Sequence, residues 1–336
     1  MRLNLFKKTQ IVASSLPFIL IICCKLYAQD DLLEMIQKNQ NLDSKIEGSF
    51  NTHYLVNTET NEMLDKKDVL IEIAHRFSTV GGPSGGIKNA YGTDFVNDIR
   101  LSLSYGISNR ITLGIARSKL NNRVDGKIKV LLMQQTAKKV PFSVAFLANA
   151  GLAAEFDSKS NPNTVVDPNS PGELIVKYPQ YLSRLNYLYQ LPIARKFGSK
   201  FSIVITPTVL YRNYVLYSSE SNLTYAAGIG AKLKISPKSY LIADYFYNFS
   251  TIQQPYYNPI GVGYEVSVGG HTFQITASNN GGILPNQFLV QNGDSWLKNQ
   301  GFHIGFNIIR SVGIGKKAQA KEQHTLDKKI GSNFGQ

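Results

Sequence analysis

Between Val69 and Ile309 apolar side chains recur at every second residue, a period that commits this stretch to strands rather than helices. Val69, Ile71, Ile73 and Phe77 share one face of a first run, and Glu72, Ala74 and Arg76 the other. Leu101, Leu103 and Tyr105 then alternate with Arg100, Ser102 and Ser104. Tyr225, Ala227, Ile229 and Ala231 oppose Ala226, Gly228, Gly230 and Lys232. Twelve such runs begin near Asp68, Phe95, Ile111, Val124, Pro141, Tyr181, Phe201, Asn222, Tyr240, Ile260, His271 and Gly301. Tight turns are expected at Ser108-Asn109-Arg110, Lys138-Lys139, Gly198-Ser199-Lys200, Ser236 to Ser239 and Gly269-Gly270, with longer connections between them. An even number of antiparallel strands brings both ends of the array to the short-turn side.

Alternation alone does not say whether the apolar face meets a core or lipid, because a soluble lipocalin-like barrel shows the same dyad. Three features favour lipid. The polar rows hold charges and small residues such as Gly114, Ala116, Gly261 and Gly263, as a crowded or wet interior would. Aromatics gather at row ends, with Phe95, Tyr181, Tyr211, Tyr247 and Phe249 at one rim and Tyr105, Phe142 and Phe201 at the other. The rows are also long enough to cross hydrocarbon, which takes about 9–11 tilted residues. The expected fold is an all-β, transmembrane antiparallel barrel over residues 68–312, with short periplasmic turns and longer extracellular loops.

The flanks fit export to the outer membrane of a Gram-negative bacterium. Arg2, Lys7 and Lys8 precede an apolar stretch from Ile11 to Ile22, and Ala28 offers a small residue for cleavage, so 1–28 reads as a signal peptide. Acylation at Cys23 or Cys24 is the alternative, with Ile22 or Cys23 poorly suited to the preceding position. Loss of Arg2, Lys7, Lys8 and Lys25 with the leader takes the formal charge from +13 to +9 and removes both cysteines. Export makes nucleic acid an unsuitable partner. Outer-membrane lipid, lipopolysaccharide and small anions suit the charge better. Residues 29–67 are expected to form a periplasmic segment or to fold against the barrel mouth, with a short amphipathic helix over Asp31–Lys38. Residues 313–336 read as a basic tail without periodicity.

Parity assigns the interior. Glu72, Arg76, Asp98, Arg100, Lys127, Lys129, Arg184, Arg212, Lys232, Lys234, Asp244 and Glu265 should face the lumen, eight basic against four acidic. They form either an electropositive path for anions or a paired network that plugs the barrel, with Arg76 and Arg100 bridging Glu72, Asp98 and Asp244. Arg100 and Arg184 should lie near mid-strand. No Gly-x-Ser-x-Gly, His-Glu-x-x-His or phosphate-loop motif occurs, and no cofactor or metal is called for. A Ser267–His271 dyad is disfavoured because parity sends the two side chains to opposite faces. The function expected is passage or binding of a small anionic or lipidic solute. The alternative is a plugged barrel that presents its loops, with a membrane-embedded hydrolase a distant third.

Several stretches carry a family resemblance. Ala74-His75-Arg76-Phe77, Ile193 to Phe197, Tyr211-Arg212-Asn213, Gly269 to Gln274 and the closing Gly305 to Arg310 resemble, in order and spacing, the bacterial β-barrel family catalogued as domain of unknown function 5777. The resemblance spans about residues 45 to 312 and implies an outer-membrane barrel without an assigned activity. Asn299-x-Gly301-x-x-Ile304-x-Phe306 also has the spacing of an insertion signal, which would make the barrel assembly machinery a partner during biogenesis.

Overall fold

A computed structural model describes residues 43–153, 166–167, 170–174, 184–213, 215, 220–252, 255–298 and 300–314. The expected leader, the Asp31–Lys38 helix, Tyr181, Asn299 and the tail beyond Ile314 lie outside the described residues. The chain divides into two units, one of residues 1–46 with 135–141 and one comprising the rest. In the smaller unit, Asp43 accepts hydrogen bonds from Thr136 Oγ1 at 2.5 Å and from the N–H groups of Lys138 and Lys139 at 2.7 and 2.9 Å. The Thr136 bond, joined by those N–H groups and the Lys139 charge, outweighs desolvation and holds the Asp43 carboxyl below its usual range.

The larger unit is a closed antiparallel barrel of twelve strands, each paired with its neighbours in sequence. They are β1 (Asp68–Thr79), β2 (Val96–Ser108), β3 (Ile111–Ser118), β4 (Arg123–Met133), β5 (Ser143–Ala153), β6 (Leu185–Gln190 and Ile193–Phe197), β7 (Phe201–Arg212), β8 (Leu223–Lys234), β9 (Ser239–Asn248), β10 (Ile260–Val268), β11 (His271–Ser278) and β12 (His303–Gly313). Closure comes from β1 against β12, with Asp68 opposite Gly313 and Arg76 opposite Gly305. Among the described residues the barrel sheet is then left without a free edge strand, the condition for crossing a bilayer.

Two details differ from the sequence expectation. The sixth strand begins at Leu185 rather than Tyr181 and is interrupted at Leu191-Pro192. Proline has no N–H for the ladder. Pro207 of the next strand lies opposite Leu191 at this break, and Leu191 N–H donates to the Pro207 carbonyl at 3.0 Å. The connection expected as a tight Lys138-Lys139 turn spans residues 134–142. The strand faces follow the alternation. Leu101, Ile115, Ile229 and Ile275 point outward, 45–65% exposed, while Arg100, Ser102, Lys127 and Lys232 point inward and are buried.

The interior is occupied by the chain itself. Residues 49–64, expected in the periplasm or at the mouth, lie inside the barrel, because their polar groups find partners in the inward rows. Phe50, Leu55 and Val56 pack on Ala194, Val204 and Ile242 of the wall. From the long-loop side, residues 283–290 also fold inward around a one-turn helix, Pro285–Phe288. Phe288, Leu289 and Val290 join Leu188, Leu210, Ala226 and Phe246 in an apolar cluster. The lumen is thus filled from two directions, by the N-terminal segment and by a loop.

Candidate functional site

The N-terminal segment enters the barrel as a hairpin. Thr60 N–H donates to the His53 carbonyl at 2.8 Å, Leu55 N–H to the Thr58 carbonyl at 2.9 Å, and Tyr54 bridges to Glu59. At its tip the N–H groups of Val56, Asn57 and Thr58 converge on Asp244 Oδ2 at 3.0, 2.6 and 2.8 Å. Successive backbone N–H groups form a concave anion receptor, and here a wall carboxylate fills it. Arg76 Nη2 donates to the Val56 carbonyl at 3.0 Å, and Asn280 Nδ2 donates to Asn57 Oδ1 at 2.8 Å.

Lower on the hairpin, Asn51 Nδ2 and Thr52 Oγ1 donate to Glu265 at 2.7 and 3.2 Å. Lys232 Nζ donates to Asn51 Oδ1 at 3.2 Å and lies 5.5 Å from the Phe50 ring centroid. Glu59, fully buried, places Oε1 at 2.9 Å from Lys129 Nζ and 3.8 Å from Lys127 Nζ. Lys127 Nζ also stands 4.8 Å from the Tyr54 ring centroid. Space for the hairpin is left by inward glycines: a Cβ at Gly261 would lie 2.6 Å from Val56 Cγ1.

Nine of the twelve residues assigned to the lumen by parity are buried there: Glu72, Arg76, Asp98, Arg100, Lys127, Lys129, Lys232, Asp244 and Glu265. Arg212 and Lys234 are half-buried at strand ends, and Arg184 precedes its strand instead of lying at mid-strand. The pairing differs from the expected network. Arg100 forms a two-pronged ion pair with Asp125, at 2.5 and 2.9 Å, rather than bridging Glu72 and Asp98. Ser102 donates to Glu72 at 3.1 Å, and Asp98 accepts from the N–H groups of Leu120 and Ile283 at 2.9 and 3.4 Å. A guanidinium matches the planar fork of a neighbouring carboxylate, and the β2–β3–β4 register brings Asp125 within reach of Arg100.

Sequence reasoning missed Asp125, Arg123 and Glu59. The first two share the parity of Lys127 and Lys129 and were open to the same argument. Glu59 lies outside the strands and carried no such signal.

No catalytic pair assembles at the position considered. His271 stacks on Phe273 with centroids 5.9 Å apart, while Ser267 Oγ meets Thr272 Oγ1 at 3.0 Å. Among the described residues no group of three or more His, Cys, Asp or Glu side chains is placed to hold a metal.

The chain has low similarity to several solved structures. The NanC porin is 7% identical over 73% of this chain and 98% of its own, with a TM-score of 0.43. The KdgM porin is 8% identical over 73% of this chain and 99% of its own, with a TM-score of 0.41. The outer membrane protein Omp33 of Acinetobacter baumannii is 8% identical over 74% and 99%, with a TM-score of 0.39. No curated protein matches the sequence. The family profile described as a membrane bound beta barrel domain matches residues 50–312, so it takes in the lumenal hairpin from Phe50 as well as every strand of the wall. The chain belongs to this membrane-bound β-barrel family, domain of unknown function 5777.

Proposed function

We propose that this protein is an outer-membrane barrel of a Gram-negative bacterium that rests closed and passes a small anionic solute once its N-terminal hairpin leaves the lumen. The observation that carries this reading is the sharing of one hairpin carboxylate, Glu59, between two wall ammonium groups, Lys127 and Lys129. Among the described residues neither lysine pairs with an acid of the wall, whereas Arg100 keeps Asp125 whatever the hairpin does. Withdrawal of the hairpin therefore uncovers positive charge in a narrow, low-dielectric passage, where the field is focused and anions are drawn in. The hairpin is seated by hydrogen bonds and ion pairs beside the apolar contacts of Phe50, Leu55 and Val56, and water replaces the polar bonds on withdrawal.

Planar-bilayer conductance tests this reading. The intact chain should conduct poorly, and a chain lacking residues 49–64 should conduct with anion preference. Replacing Lys127 and Lys129 by Glu in the opened barrel should reverse that preference. Cation preference in the opened barrel would overturn the reading.

A second reading, a permanently plugged barrel that presents its loops, is supported by the apolar cluster of Phe288, Leu289 and Val290 with Phe246 and Leu210. Displacing that cluster exposes hydrocarbon to water, and one buried Phe is worth about 1.5–3 kcal/mol. A hairpin-deleted barrel that inserts but stays closed would favour it.

A further inference from the structure

We propose that Lys127 and Lys129 form a carboxylate-binding site, and that Glu59 occupies it in the closed barrel in place of a solute carboxylate. The inference rests on the passage reading above and names the class of solute. The two lysines are two residues apart on β4, so both project inward from the same face. They approach one oxygen, Glu59 Oε1, at 2.9 and 3.8 Å, and are buried together with it. One carboxylate thus serves two ammonium groups, and the other acid that acts on Lys129, Glu62, belongs to the same N-terminal segment. The neighbouring wall is shaped around these side chains. Thr112 is opposite Lys129, and Gly114 opposite Lys127, where a Cβ would lie 3.0 Å from Lys127 Cγ. Asn149 flanks Lys127 from β5, its side-chain amide donating to Asp125 Oδ1 at 2.7 Å. Ammonium pairs beside neutral polar groups recognise an oxyanion, and Glu59 shows that a carboxylate fits.

Competition follows from the charge count. A small dicarboxylate brings two negative charges to the lysine pair where Glu59 brings one, so it should displace Glu59 more effectively than a monocarboxylate. The hairpin would then leave its seat at the Lys127–Lys129 end, coupling solute binding to opening.

The test uses the full chain in nanodiscs of uncharged lipid, with succinate, acetate and chloride at matched ionic strength. Amide exchange across residues 53–60 reads hairpin release. Succinate should accelerate it about tenfold at a concentration ten times its Kd for the open state, by mass action. Acetate should do less, chloride least, and Lys127→Met/Lys129→Met should abolish the difference. In Glu59→Gly, acetate should raise the thermal midpoint above that in chloride, and adding Lys129→Met should remove the gain. Glu59→Gln, nearly isosteric, serves if the glycine variant does not insert. Equal effects of succinate, acetate and chloride on the wild type would overturn the site. Conductance separates the two ideas. Carboxylate rescue without conductance in the hairpin-deleted barrel keeps the site and removes passage. Anion conductance with no carboxylate preference removes the site and keeps passage.

Discussion

Asn57 and Asp244 meet through two hydrogen bonds, the Asn57 N–H on Oδ2 at 2.6 Å and its side-chain amide on Oδ1 at 2.9 Å. One residue is the tip of the hairpin and the other the middle of β9, 187 positions later. With the N–H groups of Val56 and Thr58 on the same carboxylate, this contact is the latch of the plug. Asp244→Ala should cost about 2–4 kcal/mol of hairpin seating, because hydrogen bonds to a charged acceptor are worth about 1.5–3 kcal/mol each and are not additive. Amide exchange at residues 56–58 should rise while exchange in β8 and β9 stays slow. Protection of those three amides as strong as in the wild type would remove the latch.

Filling the space under the hairpin should expel it. A Cβ at Gly261 falls within 2.7 Å of both Cβ and Cγ1 of Val56. Gly261→Leu should overpack the seat, at a typical cost of about 1–3 kcal/mol, and expose residues 49–64 to protease while the barrel still inserts. A protease-resistant hairpin in this variant would mean that the wall yields instead.

A reversible lock should hold it in place. Val56→Cys with Gly261→Cys puts two thiols in a mature chain expected to have none, at positions whose Cβ atoms start 2.7 Å apart. A shift of about 1 Å reaches the usual disulfide Cβ separation. Under conditions that open the wild type, the oxidised protein should not conduct and the reduced protein should. Equal conductance in the two states would mean that passage does not need hairpin withdrawal.

The wall should be intolerant in a sided way. Leu101 points outward and is 55% exposed, so Leu101→Arg should lower folding stability in lipid by about 2–4 kcal/mol if it lies at the midplane. Arg100, one residue away, is buried against Asp125. Arg100→Glu places like charges in the interior and should lose more, with removal of one partner from a buried pair costing about 3–5 kcal/mol. Folding titrations in vesicles would rank the two, and a harmless Leu101→Arg would invert the assignment of faces.

Phe288 should matter to the loop and not to the hairpin. Its ring lies 5.2 Å from Phe246, tilted 57°, in the apolar cluster that the loop forms with the wall. Phe288→Ala should cost about 3–5 kcal/mol of local stability and speed exchange across residues 283–290, leaving residues 56–58 protected. Matching acceleration in both segments would show that the two plugs open as one.

The alternation of side chains determined the strands, and with them the wall. A strand buries one face and shows the other, so inward Arg100, Lys127 and Asp244 and outward Leu101, Ile115 and Ile229 follow from residue parity alone. Strand count and the sides of the connections also follow, because an antiparallel array leaves little freedom once its turns are recognised. Pairing inside the lumen was beyond that reach. Whether Arg100 meets Asp98 or Asp125 depends on inter-strand register, which parity leaves open by any even shift. The seat of Glu59 on Lys127 and Lys129 depends on more, because a short segment before the first strand folds back into a space that exists only after the barrel closes. No local pattern encodes such a contact. The tertiary structure decided that the N-terminal segment lies inside the barrel, and that the basic row carries a carboxylate from the chain's own hairpin.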